Sequence, residues 1–243
     1  MGRPARLAAG SAIAAVVGHA LPAVTALPPL RRHLLPGLAG LGDPGHVALT
    51  FDDGPDPLST PHFLRLLERR GIHATFFLLG RMVARAPHLA AELRDAGHEV
   101  GLHGHDHRCL LARGPAGTRD DLARGRDAIE KATGQAPRWY RPPYGVLTTA
   151  AVVAATGLSL RPVLWTAWGR DWSRRATPDS VVATVTADLR GGGTVLLHDS
   201  DCTSAPGSWK NTLSALPRLL EHCDRHGWTV GPLREHKTAG RVS

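Results

Sequence analysis

Two carboxylates and a cluster of imidazoles stand where they could hold a cation and move a proton. Thr50-Phe51-Asp52-Asp53-Gly54-Pro55 closes an apolar run. Side chains alternate along a strand, so adjacent aspartates at its end point to opposite sides and can take different tasks. One can hold a cation while the other meets a cation-bound water. Alone, the same letters also spell an Asp-Gly-Pro turn. His103-Gly104-His105-Asp106-His107 forms the second group. Two imidazoles and one carboxylate leave coordination positions open for water and substrate. His103 with His107 suits a turn and His103 with His105 suits continued strand; spacing leaves both pairs open, beside the plainer reading of a polar loop.

Three more segments carry reactive types. Arg141-Pro142-Pro143-Tyr144-Gly145 is a stiff turn whose prolines could aim the Tyr144 N–H as an oxyanion donor. Trp165-Thr166-Ala167-Trp168-Gly169-Arg170-Asp171-Trp172 sets an acid among indoles, which could equally be an aromatic rim. Leu196-Leu197-His198-Asp199 ends on a lone imidazole, a type that more often satisfies a strand end than donates a proton.

Alternating strand and helix signals must position these groups. Strands are expected at Val47–Phe51, Ala74–Leu79, His98–His103, Arg138–Arg141, Leu160–Thr166, Thr194–His198 and Trp228–Leu233. Helices are expected from Thr60 to Gly71, Pro87 to Gly97, about Thr118 to Gly134, Thr148 to Ala155, from Thr177-Pro178 through Leu189, and from Asn211 to Gly227. Such alternation means parallel βαβ units. Asp52, Asp53, His103, Arg141, Asp171 and His198 all fall at or just past strand C-termini. A barrel gathers those ends at one mouth, whereas an open sheet spreads them along an edge. The fold class is therefore α/β: an incomplete, distorted, TIM-barrel-like (β/α)7 barrel in a single domain.

Taken together, the five motifs resemble the polysaccharide deacetylases of carbohydrate esterase family 4, the NodB-homology domain, from about Gly45 to Leu233. The resemblance implies roles. Asp53, His103 and His107 match the ligands of a divalent metal, most often zinc, with cobalt or manganese as alternatives. Asp52 matches the general base, and Arg141 the arginine that orients it. Tyr144 supplies the oxyanion N–H, and His198 is the general acid with Asp171 as its partner. Leu196 and Trp172 match the apolar pocket for the acetyl methyl, with Tyr144 also touching substrate. Gly104 departs from the family's usual Ser or Thr, Trp168 stands where many members have an acid, and His105 matches no ligand. The implied function is removal of N-acetyl groups from peptidoglycan or a chitin-like glycan, releasing acetate. An O-acetyl esterase on the same fold and a non-catalytic glycan-binding protein are the rivals; retention of both Asp52 and His198 argues against the latter.

The remaining features bound the setting. The 243 residues carry 29 Lys+Arg against 21 Asp+Glu, a net charge of +8. The arginines are scattered and aromatics are 5%, which does not describe a nucleic-acid surface. The positive field suits an anionic cell-wall polymer. Three cysteines without a CxxC exclude a disulfide framework, although an exported chain could bridge Cys109 and Cys202. Residues 1–44 form an apolar arm: Arg3 and Arg6, a run without charges from Leu7 to Leu30, and Val24-Thr25-Ala26 as a cleavage signal. That pattern reads as a signal peptide or membrane anchor, hence a secreted or membrane-associated protein. Residues 45–233 form the deacetylase domain, and the polar tail 234–243 is expected to fray. Residues Asp199–Lys210 have the composition of a lid, and the chain is expected to be a monomer.

Overall fold

The computed structural model describes residues 16–237. The expectations for Arg3, Arg6 and the start of the apolar run lie outside them. A 3-10 helix (Leu21–Ala26) and the short helices α1 (Pro28–Leu34) and α2 (Pro36–Ala39) precede β1 (His46–Asp52). Then follow α3 (Thr60–Arg70), β2 (Thr75–Leu78), α4 (Gly80–Arg85), α5 (Pro87–Asp95), β3 (Glu99–Leu102), α6 (Pro115–Thr133), β4 (Trp139–Tyr140) and α7 (Thr149–Gly157). The chain continues through β5 (Arg161–Pro162), β6 (Ala167–Trp168), α8 (Pro178–Asp188), β7 (Thr194–His198), α9 (Ser208–Arg225) and β8 (Thr229–Gly231). No helix among the described residues is long and apolar enough to cross a membrane.

The strands pair in parallel in the order β5-β4-β3-β2-β1-β7-β6, with β8 added against the start of β1. The strand expected at Leu160–Thr166 shrinks to β5, and an unexpected strand, β6, follows just beyond it. β5 pairs with β4 and β6 with β7, at opposite ends of the strand path. Residues 163–166 therefore carry the chain across the seam and close the sheet into the expected barrel. Two-residue strands on such a corner make too few ladder bonds to be legible as periodic pattern. In addition, α4 was not expected, α6 begins at Pro115 rather than about Thr118, and α9 begins at Ser208 rather than Asn211.

β1 is buried along its whole length, as a parallel strand covered on both faces should be. Its alternate residues divide the core. Val47, Leu49 and Phe51 pack outward with Phe63, Leu67 and Phe76 under the helices. Ala48 packs inside the barrel with Phe77, Trp139, Val163 and Leu233. Thr50 and Asp52 continue that inward face toward the mouth, giving an apolar floor below a polar layer. Residues 234–237 pack rather than fray: His236 is fully buried, its Nε2 3.0 Å from the carbonyls of Gly40 and Gly192, and the rest of the expected tail lies outside the described residues. The same carbonyls also accept from Thr194 Oγ1 and the Gly42 N–H, so His236 joins a bonded cluster at the foot of the barrel.

Helix α6 reaches the mouth through a glycine contact. A Cβ on Gly125 would sit 2.7 Å from Leu102 Cδ1 and 3.0 Å from the Gly104 carbonyl. Gly125→Ala should therefore cost about 1–3 kcal/mol through overpacking. The measurement is a lower midpoint in denaturant unfolding with an unchanged far-ultraviolet circular dichroism spectrum.

Candidate active site

Strand register sets the height of the reactive groups. Asp52 pairs with Phe77 on one side and His198 on the other, so carboxylate and imidazole stand level at the C-terminal ends of β1 and β7. Leu102 pairs with Tyr140, which places His103 and Arg141 next to each other one step higher.

Asp53 leaves the strand with φ 81°. That left-handed step corrects the expectation that the two aspartates face opposite sides. Asp52 Oδ2 and Asp53 Oδ1 both lie 3.6 Å from His103 Nε2. Alternation holds only while the backbone stays extended. His107, also left-handed at φ 56°, brings its Nε2 to 3.6 Å from Asp53 Oδ1. Asp53, His103 and His107 thus present ligand atoms within 4.8 Å of one another. His105 turns away, its Nε2 3.0 Å from Arg124 Nη2, and the open choice of pair resolves to His103 with His107.

The cradle suits a cation. Asp53 Oδ1 is buried with no hydrogen-bond donor, an arrangement that needs an explanation such as an ion. Its other oxygen, Oδ2, accepts from Thr203 Oγ1. His103 Nδ1 lies 2.8 Å from the Arg141 carbonyl, so the ring donates there and turns a bare Nε2 to the cradle. Burial, with the neighbouring His107, pulls the His103 imidazole down to about 3; burial likewise lowers His107. Both rings are therefore neutral at pH 7, the form that ligates metals.

The two flanks differ electrostatically. Arg141 is fully buried and donates Nη1 to Asp52 Oδ1 at 2.7 Å and to Thr50 Oγ1 at 2.8 Å. Its guanidinium lies 4.1 Å over the Phe77 ring. Burial raises the Asp52 carboxyl above the ordinary range, against the pull of Arg141. Opposite, Asp171 Oδ1 pairs with His198 Nδ1 at 2.8 Å, and its Oδ2 accepts from His198 N and Thr212 Oγ1 at 2.7 Å each. Burial pulls the His198 imidazole down, but the Asp171 charge outweighs it and holds the group up at about 10. The site therefore offers a carboxylate acceptor and an imidazolium donor across one cradle.

The remaining expected residues line the rim. Tyr144, at φ 60°, is exposed with its ring 4.7 Å from that of His107. Leu196 is buried beneath His198, and the half-exposed Trp172 stacks with Trp168 at 6.3 Å. Cys109, Cys202 and Cys223 are free thiols, so the Cys109–Cys202 bridge is not formed. Cys202 instead lies 3.4 Å from the Asp53 carbonyl, within the segment expected as a lid.

Sequence reasoning missed Thr203, Thr212 and Asp121. Asp121 of α6 accepts from the backbone N–H of His105 at 3.0 Å and of Asp106 at 3.2 Å, and pairs with Arg113 at 2.7 Å. It thereby shapes the loop that delivers His107. The available signal was an acidic residue beside Leu122 on the inward face of a helix, where a charge needs partners.

Paired acid and base groups around a buried cradle at a barrel mouth make this a hydrolytic enzyme site. The chain belongs to the polysaccharide deacetylase family, which it matches over residues 40–163. It is 38% identical over 195 residues to a chitooligosaccharide deacetylase of Bradyrhizobium, covering 77% of this chain and 88% of that protein. A peptidoglycan-N-acetylglucosamine deacetylase of Bacillus cereus is 33% identical over 197 residues, covering 79% and 89%. Among solved structures, a family 4 carbohydrate esterase from Streptomyces lividans in complex with acetate matches with TM-score 0.70 and 31% identity, over 80% of this chain and 97% of that one. A family 4 pseudoenzyme from Bacillus anthracis matches with TM-score 0.72 and 30% identity, over 82% and 67%.

The His198–Asp171 pair has a pH signature. A raised folded-state value means that its stabilisation is complete below about 6.5, the unfolded value, and is lost as pH rises through about 10. The gap in unfolding temperature between the wild type and His198→Gln should be widest near pH 6 and shrink toward pH 10. A gap that is constant across that range would contradict the pairing.

Proposed function

We propose that this polysaccharide deacetylase is a metal-dependent N-deacetylase of peptidoglycan or a chitin-like glycan, releasing acetate from N-acetylated sugar. The observation that carries the reading is the donorless, buried Asp53 Oδ1 between two neutral imidazoles, flanked by an acceptor and a charged donor. A divalent cation on Asp53, His103 and His107, by preference zinc, would supply Lewis acidity and a nucleophile from water at neutral pH.

The chain's own groups account for the proton movements. Asp52 takes the proton of the attacking water, with Arg141 fixing which oxygen is free to do so. The Tyr144 N–H donates to the oxygen that gains charge. An amide nitrogen leaves only once protonated, and the imidazolium of His198 is the proton source. Asp171 keeps that proton in place at neutral pH. Leu196 and Trp172 give the acetyl methyl an apolar pocket. The held imidazolium favours an amide over an ester, whose leaving group has less need of a proton. The relatives named for peptidoglycan and chitooligosaccharide substrates, together with the basic charge, support an extracytoplasmic glycan and a secreted or membrane-associated enzyme.

Asp53→Ala should abolish both zinc binding and acetate release while the protein stays folded; full zinc occupancy in that variant would remove the metal reading. Asp52→Asn should keep the metal and lose turnover by roughly 10²–10⁴. Asp171→Asn should move the alkaline limb of the rate profile to lower pH, because it removes the charge that raises His198. Acetate release measured against pH on N-acetylglucosamine oligomers and on aryl acetates checks these outcomes. His198→Ala should harm the former far more than the latter.

A further inference from the structure

The seam that closes the barrel is held by arginines in place of a strand ladder. Residues 163–166 join β5 to β6, and three successive carbonyls there accept from arginine side chains. Leu164 O takes Arg141 Nη2 at 3.0 Å. Trp165 O takes Arg31 Nη2 at 2.7 Å. Thr166 O takes Arg32 Nη2. Arg141 comes from the active site, whereas Arg31 and Arg32 come from α1, in the N-terminal arm.

Arg31 is 2% exposed, yet no carboxylate among the described residues pairs with it. Its other nitrogen, Nη1, donates to Ala26 O at 2.8 Å and Thr25 O at 3.4 Å. Burial, with Arg32 and Arg141 nearby, lowers it to about 10, so it remains a cation at neutral pH. A buried cation bonded only to carbonyls is costly to maintain, and here it has a definite target. Its guanidinium lies 5.4 Å from the centre of the Trp165 ring, and Arg141 lies 5.8 Å from the same ring. The indole is thus shared by two cations. Its far edge fills the space over Gly145, where a Cβ would come within 2.6 Å of Trp165 Cη2. One side chain therefore bounds both the arginine that holds Asp52 and the turn that presents Tyr144.

We infer that Arg31 is a positioning residue for catalysis: by anchoring the Trp165 backbone and ring, it fixes Arg141 against Asp52, and α1 is a working part of the active site. The inference rests on the reading of Asp52 as the base. Arg31 precedes the matched family segment, which starts at residue 40, so that segment does not supply it. The arm holds the seam at further points as well. Leu164 N donates to Leu38 O at 2.7 Å, and Thr194 Oγ1 donates to Gly40 O at 2.6 Å. Residues from Pro28 onward thus pack on the barrel and bond to it.

The test uses the full-length, zinc-loaded protein with an N-acetylglucosamine oligomer as substrate. Arg31→Ala should lower kcat by about 10–100-fold, the cost of a small misplacement near the reacting atoms. KM and zinc content should stay within about two-fold of wild type, because Arg31 touches neither substrate nor the cradle. Arg31→Lys keeps the charge but not the fork and should fall between. In an Asp52→Asn background, either change should cost less than about two-fold, since its effect runs through Asp52. An equal loss in both backgrounds would overturn the inference, as would wild-type kcat in Arg31→Ala or a raised KM at unchanged kcat. If Arg31→Ala does not fold, Arg31→Lys decides by the same comparison, and wild-type kcat there overturns the inference. Near-normal turnover in Asp52→Asn alone would instead sink the base assignment, which keeps the two failures distinct.

Discussion

A guanidinium sealed inside the barrel organises this protein. Arg141 is fully buried, and removing such a cation from water costs several kcal/mol unless its donors are met. Asp52, Thr50 and the Leu164 carbonyl meet those on Nη1 and Nη2, and the Phe77 ring covers one face. Those partners come from β1, β2 and the seam between β5 and β6. The requirement to satisfy one side chain therefore ties three parts of the barrel to the same point. The Arg141 carbonyl also receives His103 Nδ1, so the residue that holds the acceptor flank also orients an imidazole of the cradle.

Burial acts differently on each group around that point. It makes His103 and His107 neutral, because burial outweighs the pull of the Asp53 carboxylate beside them. It leaves His198 charged, because Asp171 is bound to it and held by Thr212. Three imidazoles in one mouth thus take two protonation states, set by the partner rather than by the residue type. A charged imidazole and a neutral pair coexist without any of the histidines being chemically unusual.

The similarity to both a carbohydrate esterase and a pseudoenzyme of the same family shows that the scaffold does not decide activity. In this chain the contacts that shape the mouth are local to it. Thr203 occupies one oxygen of Asp53 and leaves the other bare. Asp121 shapes the loop that returns His107. The N-terminal arm braces the seam beneath.

Much of this was legible in order and periodicity. The apolar run of β1, the Thr60-Pro61 and Thr177-Pro178 helix starts, and reactive residues at strand ends were enough for a parallel barrel with one mouth. They were also enough to gather Asp52, Asp53, His103, Arg141, Asp171 and His198, because parallel strands bring their C-terminal ends together. What sequence left open depended on contacts between distant segments. The choice of His107 over His105, the inward turn of Asp53, the early end of the fifth strand and the burial of Arg31 and His236 are all of this kind. Local patterns report which face of an element is apolar, not which distant carbonyl will be left without a partner. Only the closed tertiary structure creates those unpaired groups, and with them the reason for an arginine or a threonine to stand where it does.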